Sequence, residues 1–309
     1  MIYNTDFILR VNEIYHDIEN EKYDKIHESS FKEEIKFWEK IGKYLISKNF
    51  QKINLLDIGS GTGFVPLQIG NFLKSGDMFI CSDLSKKILE VCKKKISEKK
   101  FKNQFEYMKL NGKQFNLKSN SFDYITMNSV LHHIPNFPIF FKEINRLLKI
   151  SGLLVITHEP NVLFNTHRFL WNQFKILKLL SRKFKLNKIL GQAFNISEST
   201  NHQYFLSKNV NEILLKEGFI KTPLDSNEIS AIVDIHSSTA GGYHKERGIN
   251  VSLILRRFLP NFKIIYIKTY NHLLRLGFEN KITKFYDSIL RRAFPDKGAT
   301  LMVILKKIS

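Results

Sequence analysis

Between residues 53 and 158, short apolar runs alternate with stretches in which apolar side chains recur every three or four positions. The runs at 53–58, 78–82, 105–110, 122–127 and 153–158 read as strands, and the stretches at 63–73, 85–97 and 138–149 as helices. Such alternation predicts βαβ units, hence an α/β fold built on a doubly wound, mostly parallel sheet with helices on both faces. Ahead of it, residues 1–50 read as helical, and the spacing of Ser30 and Glu33 predicts a capping box that starts a helix running to about Lys48. Past Pro160 the pattern changes to helical segments rich in Leu, Ile, Phe and Lys at 162–180, 251–276 and 281–294. Asn209 and Glu212 predict a short helix ending at Glu217; Gly218 and Phe219 would then open a strand, and residues 299–305 form the last one. The chain thus divides into a helical arm (1–50), a core (51–160), and helical insertions with the C-terminal strands of the sheet (161–309).

Composition narrows this picture only a little. With 309 residues and 43% hydrophobic content, the chain can bury one large core, or one domain plus an insertion. No run reaches the roughly 18 uncharged apolar residues of a spanning helix, and the first ten residues lack the order of a signal peptide, so a cytoplasmic protein is expected. The two cysteines, Cys81 and Cys92, fit reduced structural thiols. The formal charge of +19 is compatible with nucleic acid, an anionic membrane surface or plain solvation, and only ten of the 48 basic residues are Arg.

Candidate chemistry begins at the first strand. Leu55-Leu56-Asp57-Ile58-Gly59-Ser60-Gly61-Thr62-Gly63-Phe64 is a buried strand running into a tight turn and a helix. Residues without Cβ permit positive φ there and let a ligand approach the backbone beyond the strand's carboxyl end. Pro66 suits the first turn of the helix that follows. Asp83 ends the second strand, 20 residues past Gly63, where a carboxylate can accept the two hydroxyls of a ribose.

The glycine-rich stretch closely resembles motif I, Asp-x-Gly-x-Gly-x-Gly, of the class I S-adenosylmethionine-dependent methyltransferases. Phe64 departs from the dinucleotide pattern Gly-x-Gly-x-x-Gly. The segment from Phe122 to Pro135, ending Leu131-His132-His133-Ile134-Pro135, is similar to motif IV and the following loop in the small-molecule and lipid-type, UbiE-like group of that family. Glu143 to Ile156 resembles the helix-turn-strand that the family writes Leu-Lys-Pro-Gly-Gly, with Ile150 and Ser151 in place of Pro and Gly. The resemblance covers residues 53–159 and implies a Rossmann-like methyltransferase fold with a seven-stranded sheet and S-adenosylmethionine as the cofactor. It implies cofactor contacts from Asp57, Gly59, Ser60, Gly61, Thr62, Gly63, Asp83, Leu84, Asn111, Gly112, Asn128 and Ser129. Asn111 stands where Asp is commoner, yet its amide can still bond adenine.

Some chemistries are excluded. Adenine-N6 methylation of nucleic acid uses Asn/Asp-Pro-Pro-Tyr after the fourth strand, whereas Asn128 is followed by Ser129-Val130. Cytosine-C5 methylation needs a cysteine nucleophile, which this segment lacks. His132, His133 and His158 find no carboxylate at ligand spacing, so no metal is expected. The sulfonium activates the methyl group, so the protein's tasks are alignment and exclusion of water. A base for a hydroxyl or amine acceptor could come from His132, His158 or Glu159.

The arm clusters Tyr15-His16-Asp17 and residues 21–27, a polar aromatic group placed to act as a lid or to remain a solvated helix end. The expected partners are a small-molecule or lipid-linked acceptor and, through Phe169, Leu170, Trp171, Phe174, Ile176 and Leu177 beside Arg168, Lys175 and Lys178, an anionic membrane surface, the alternative being that these apolar residues pack onto the sheet domain and the basic ones are solvated. An RNA methyltransferase and a catalytically silent relative are the alternatives. No obligate protein partner is evident.

Overall fold

In the computed structural model the described residues are 3–19, 23–47, 52–183, 196–236, 248–272 and 281–309; among these, side chains at 23–33, 46, 178–183, 196–201 and 282–283 fall outside the description. By compactness the chain divides into a sheet unit (3–157, 251–266 and 303–309) and a helical unit (158–250 and 267–302).

The strands are β1 (Asn54–Ile58), β2 (Met78–Asp83), β3 (Gln104–Lys109), β4 (Phe122–Asn128), β5 (Leu148–Pro160), β6 (Phe262–Tyr270) and β7 (Thr300–Lys307). They form one sheet in the order β3-β2-β1-β4-β5-β7-β6. β1 pairs in parallel with β2 and β4, β2 with β3, and β4 with β5. Leu55 to Ile58 of β1 are all buried, as expected of a central parallel strand covered on both faces. The crossovers are α3 (Phe64–Ile69), α4 (Lys86–Ser97) and α5 (Phe137–Leu147). Ser85 Oγ accepts from Ile88 N at 3.1 Å and Asn136 Oδ1 from Ile139 N at 3.1 Å, so a polar N-cap fixes where α4 and α5 begin. Strand order reverses between β1 and β4. That is the topological switch point, where the loops at the carboxyl ends diverge and open a crevice.

The sheet unit also holds α1 (Thr5–Glu19), α2 (Tyr23–Ser47) and α10 (Val251–Phe258). The helical unit contains α6 (Val162–Thr166), α7 (Arg168–Lys183), α8 (Ile196–Lys216), α9 (Ser226–Val233) and α11 (Lys281–Ala293). Asn161 ties that unit together: its Nδ2 donates to Asp296 O at 3.0 Å and Gly298 O at 2.8 Å, while its Oδ1 accepts from Leu163 N at 3.0 Å. Phe164, Leu170, Phe174, Leu290 and Ala299 form the buried cluster beneath α7 and α11.

Several sequence expectations need correction. The helix expected over 251–276 stops at Phe258, and the run Lys263-Ile264-Ile265-Tyr266-Ile267 becomes the edge strand β6. β-Branched residues favour the pleated backbone there, and the apolar run masked the change of period. Asn209 caps nothing: it lies inside α8, and its Nδ2 bonds back to Phe205 O at 2.7 Å. Gly218 and Phe219 do not open a strand. Gly218, at φ 75°, closes α8 with bonds from its N–H to Leu215 O and from Phe219 N to Leu214 O, a Schellman ending. Ser30 lies within α2, which starts at Tyr23, so the capping-box spacing marks no helix start. Among the described residues, no helix is long and apolar enough to cross a membrane.

Candidate functional site

The chain leaves β1 through a turn in which Gly59, Gly61 and Gly63 all have positive φ (67°, 52° and 96°). Gly61 combines the left-handed conformation with open space, because a Cβ placed there would meet nothing within 4 Å. A side chain would stand in the mouth of the crevice; glycine leaves the backbone approachable. The turn is tied to the end of β2. Ser60 N donates to Ser82 O at 2.9 Å, and Ser60 Oγ accepts from Ser82 N at 3.0 Å and donates to Asp57 O at 3.1 Å. Thr62 and Ser60 are buried within this framework.

Two carboxylates flank the turn. Asp83 Oδ2 accepts from Gly61 N and Oδ1 from Ser85 N, both at 3.0 Å. Each oxygen keeps a lone pair for another donor. Burial pushes the Asp83 carboxyl above its ordinary value, against the opposing pull of Ser85 N–H and the nearby His16. Asp57 is fully buried. Thr126 Oγ1 donates to its Oδ1 at 2.6 Å, while its Oδ2 has no hydrogen-bond partner among the described residues. Burial pushes its carboxyl up to about 7, outweighing the Thr126 bond.

At the switch point the crevice opens into a pocket. Its polar wall is Gly59, Gly61, Asp83, Asn128 and Ser129, and its apolar wall includes Ile58, Leu84, Leu110, Phe115, Val130 and Phe140. α1 supplies a third side through Leu9, Asn12 and His16, spaced i, i+3, i+7 on one face. Gly112 lets α1 come close, since a Cβ there would lie 2.5 Å from Leu9 Cδ2. The arm is held by charge: Glu13 meets Arg10 at 2.7 Å and Lys109 at 2.5 Å, Asp6 pairs with Lys113, and Asp17 bonds the Ser85 hydroxyl. For Glu13, burial works upward, but Lys109 and Arg10 prevail and hold its carboxyl below the ordinary value.

The residues expected at the site are distributed as follows. Gly59, Gly61, Asp83, Leu84, Gly112, Asn128 and Ser129 line the pocket. Asp57, Ser60, Thr62 and Gly63 form the framework behind it. Asn111 is exposed, and its Oδ1 accepts from Lys113 N at 2.9 Å and Gln114 N at 3.0 Å, so its carbonyl holds the local turn. Asn128 Oδ1 accepts from Thr157 Oγ1 at 2.5 Å, and Ser129 sits at φ 63°, a strained backbone on the pocket wall. His132 lies against the pocket-lining His133, with 4.0 Å between ring centroids and the ring planes tilted by 45°. His158, at φ 57°, and the buried Glu159 follow Thr157 on β5, within the helical unit. Leu9 and Asn12 were missed by sequence reasoning, although the amphipathic spacing of α1 was there to suggest one inward face. Of the polar aromatic cluster in the arm, residues 20–22 lie outside the described residues, as do the side chains of 23–33.

The pocket suits an adenosyl-sulfonium ligand. Apolar walls can flank a purine, Asp83 can accept from a ribose, and the open backbone at Gly61 leaves room for close approach.

Comparison with known proteins gives the same answer. The methyltransferase domain family Methyltransf_11 matches residues 56–156. The demethylmenaquinone methyltransferase of Staphylococcus aureus (strain MRSA252) is 28% identical over 159 residues, covering 50% of this chain and 62% of its own length. That of Lactococcus lactis subsp. lactis is 30% identical over 147 residues, covering 47% and 57%. The chain therefore spans under two thirds of the length of these curated relatives. Among solved structures, a SAM-dependent methyltransferase from Methanosarcina mazei aligns over 85% of this chain and 97% of its own, with 14% identity and a TM-score of 0.45. Residues 56–156, with their glycine turn, acidic strand ends and switch-point pocket, are a class I S-adenosylmethionine-dependent methyltransferase domain.

Proposed function

We propose that the protein transfers a methyl group from S-adenosylmethionine to an O, N or C atom of a small or lipid-linked acceptor. The observation that carries this is the pairing, at one switch point, of an open left-handed Gly61 with the Asp83 carboxylate that its own N–H holds at 3.0 Å. S-adenosylmethionine brings a methyl group already activated by its sulfonium, so no covalent catalyst is needed from the chain. Gly61 gives the backbone approach, Asp83 accepts from ribose hydroxyls, and the walls of Leu84, Leu110, Phe115 and Val130 keep water away. Asp57, fixed by Thr126, supports the turn from beneath. Where the acceptor must lose a proton, His132 beside His133 is our candidate base, with His158 and Glu159 as the other two. The relatives named demethylmenaquinone methyltransferase support an acceptor of that kind.

The test is titration calorimetry with S-adenosylmethionine and S-adenosylhomocysteine. Both are expected to bind, and Asp83→Ala to lose about 1–3 kcal/mol through unpaired ribose hydroxyls. Absence of heat for both ligands with the folded protein would refute the proposal. Equal affinity in Asp83→Ala would remove that residue from the site.

A further inference from the structure

The helical unit carries a surface that the pocket does not use. Helix α7 exposes Phe169 (48%) and Ile176 (55%), and α11 exposes Phe285 (68%) and Ile289 (43%). Large apolar side chains left so open in pairs, two on each helix, need an explanation that single exposed residues do not. One hydrogen bond sets the two rows side by side. Tyr286 Oη donates to Gln173 Oε1 at 2.9 Å, with Gln173 one turn from both Phe169 and Ile176, and Tyr286 one turn before Ile289. The helices lean on the buried cluster of Phe164, Leu170, Phe174 and Leu290, so the outward rows are held on a rigid base.

On these two helices the exposed charge has one sign. Arg168 and Lys175 on α7, and Lys281, Lys284 and Arg292 on α11, are exposed among the apolar residues. Helix α7 contains no Asp or Glu at all. The single acid of α11, Asp287, is buried and bonded to Arg291 at 3.2 Å. Five exposed cations therefore frame four exposed apolar side chains, and among the described residues neither helix presents a carboxylate to solvent.

We propose that the α7/α11 face docks on an anionic lipid membrane, with Phe169, Ile176, Phe285 and Ile289 entering the headgroup–acyl boundary and the Lys and Arg residues lying at the phosphates. Apolar side chains inside a cationic frame are what an interfacial helix needs. Two of the four are aliphatic Ile residues, which an acyl layer accommodates and a nucleic-acid backbone does not. Near an anionic bilayer each Lys or Arg strengthens association about five-fold, so the frame gives strong, salt-sensitive binding. The surface belongs to the helical unit and stands whether or not the pocket takes S-adenosylmethionine.

The test is flotation of the full chain with phosphatidylglycerol-containing vesicles and with pure phosphatidylcholine vesicles, at about 0.05 M and about 0.5 M salt. The expected result is co-flotation with the anionic vesicles at low salt, weakened at least ten-fold by Phe285→Ser/Ile289→Ser. Those side chains are exposed, so this variant should keep the wild-type melting temperature and S-adenosylmethionine heats. Lys175→Glu/Arg292→Glu should lose binding as well. The proposal is overturned if the protein floats with neither vesicle. It is equally overturned if Phe285→Ser/Ile289→Ser binds anionic vesicles like wild type, because the +19 charge alone would then explain adsorption. Tight binding to a short RNA that the same variant leaves unchanged, with no flotation, would assign the cations to nucleic acid instead.

Discussion

The two edges of the parallel sheet treat their acidic residues in opposite ways. At the amino edge, Asp123 on β4 accepts from Lys149 Nζ at 2.8 and 2.9 Å and from Asn54 N at 2.9 Å. Nearby, Glu143 takes a forked pair of bonds from Arg146 at 2.9 and 2.7 Å, and Arg146 lowers its carboxyl below the ordinary value. Arg146 also donates to Leu117 O at 2.7 Å and Phe115 O at 2.8 Å. At the carboxyl edge, no Lys or Arg among the described residues bonds Asp57 or Asp83, and burial raises both. The amino edge satisfies itself, which makes it a structural lock. The carboxyl edge leaves acceptors, open backbone and a cavity, and is arranged for a ligand that brings donors and positive charge with it.

The sharpest way to break this contrast is to fill the open edge. Gly61→Val adds a branched side chain at φ 52°, in the mouth of the pocket. S-adenosylmethionine affinity should fall on the order of 1000-fold, about 4 kcal/mol, while circular dichroism stays native. A variant that binds within ten-fold of wild type would show that the ligand does not approach this backbone.

The next effect separates the two edges by pH. Asp57, with a folded value near 7 against an ordinary 3.8, keeps its proton in the native protein while the unfolded chain loses it. Stability should therefore decrease as pH rises from about 4 to 7, by on the order of 4 kcal/mol in total, and level off above that. Glu143 acts in the opposite sense: its contribution is present above its unfolded value and is lost as pH falls through its lowered folded value. Urea unfolding from pH 4 to 8 should show the decline in wild type and a flatter profile in Asp57→Asn. Parallel profiles for the two proteins would mean that Asp57 is ionised in the native state.

Arg146→Ala tests the lock. It leaves Glu143, which is largely buried, without its cation and takes donors from two backbone carbonyls, so a loss of about 3 kcal/mol is expected. S-adenosylmethionine affinity should fall by less than about ten-fold, since Arg146 touches the pocket only through the backbone carbonyl of the wall residue Phe115. A large change in affinity with little loss of stability would reverse the roles assigned to the two edges.

The carboxyl edge was the more legible of the two from sequence. Glycine spacing after a buried strand and an acid at the end of the next strand are local patterns, and local patterns survive in one dimension. The lock was harder to see, because Lys149 meets Asp123 across 26 residues and Arg146 reaches Leu117 O and Phe115 O across 29 and 31, and nothing in the sequence announces those partnerships. β6 was misread for a related reason. Its burial pattern leaves residues 263–268 exposed, so it lacks the buried-and-polar alternation that identifies a strand, and its Ile-rich run fits a helix equally well. What the sequence did not show at Asn111 is that its side-chain oxygen closes an Asx turn, which leaves only its amide N–H donors for the adenine role that the resemblance implies.

The smallest expected effect concerns the arm, which brings charge pairing of the amino-edge kind to the carboxyl edge. Leu9, Asn12 and His16 line the pocket, so a ligand held there would be covered by α1, and the helix should open less often when the pocket is filled. Hydrogen exchange over residues 5–19 is therefore expected to slow when S-adenosylmethionine is added. Glu13 joins the arm to Lys109, whose side chain is half-exposed, and such pairs contribute only about 0.5 kcal/mol. Glu13→Gln should accordingly weaken S-adenosylmethionine binding about two-fold at low salt, and the difference should vanish near 0.5 M salt, where the Debye length falls to roughly 4 Å. Asn12→Ala serves as the internal control, because it removes a buried, uncharged side chain whose Oδ1 has no partner among the described residues and should act independently of salt. If exchange over 5–19 is the same with and without S-adenosylmethionine, α1 is a fixed wall rather than a latch. The acidic residues at its surface would then stabilise the fold in the same way as Asp123 and Glu143.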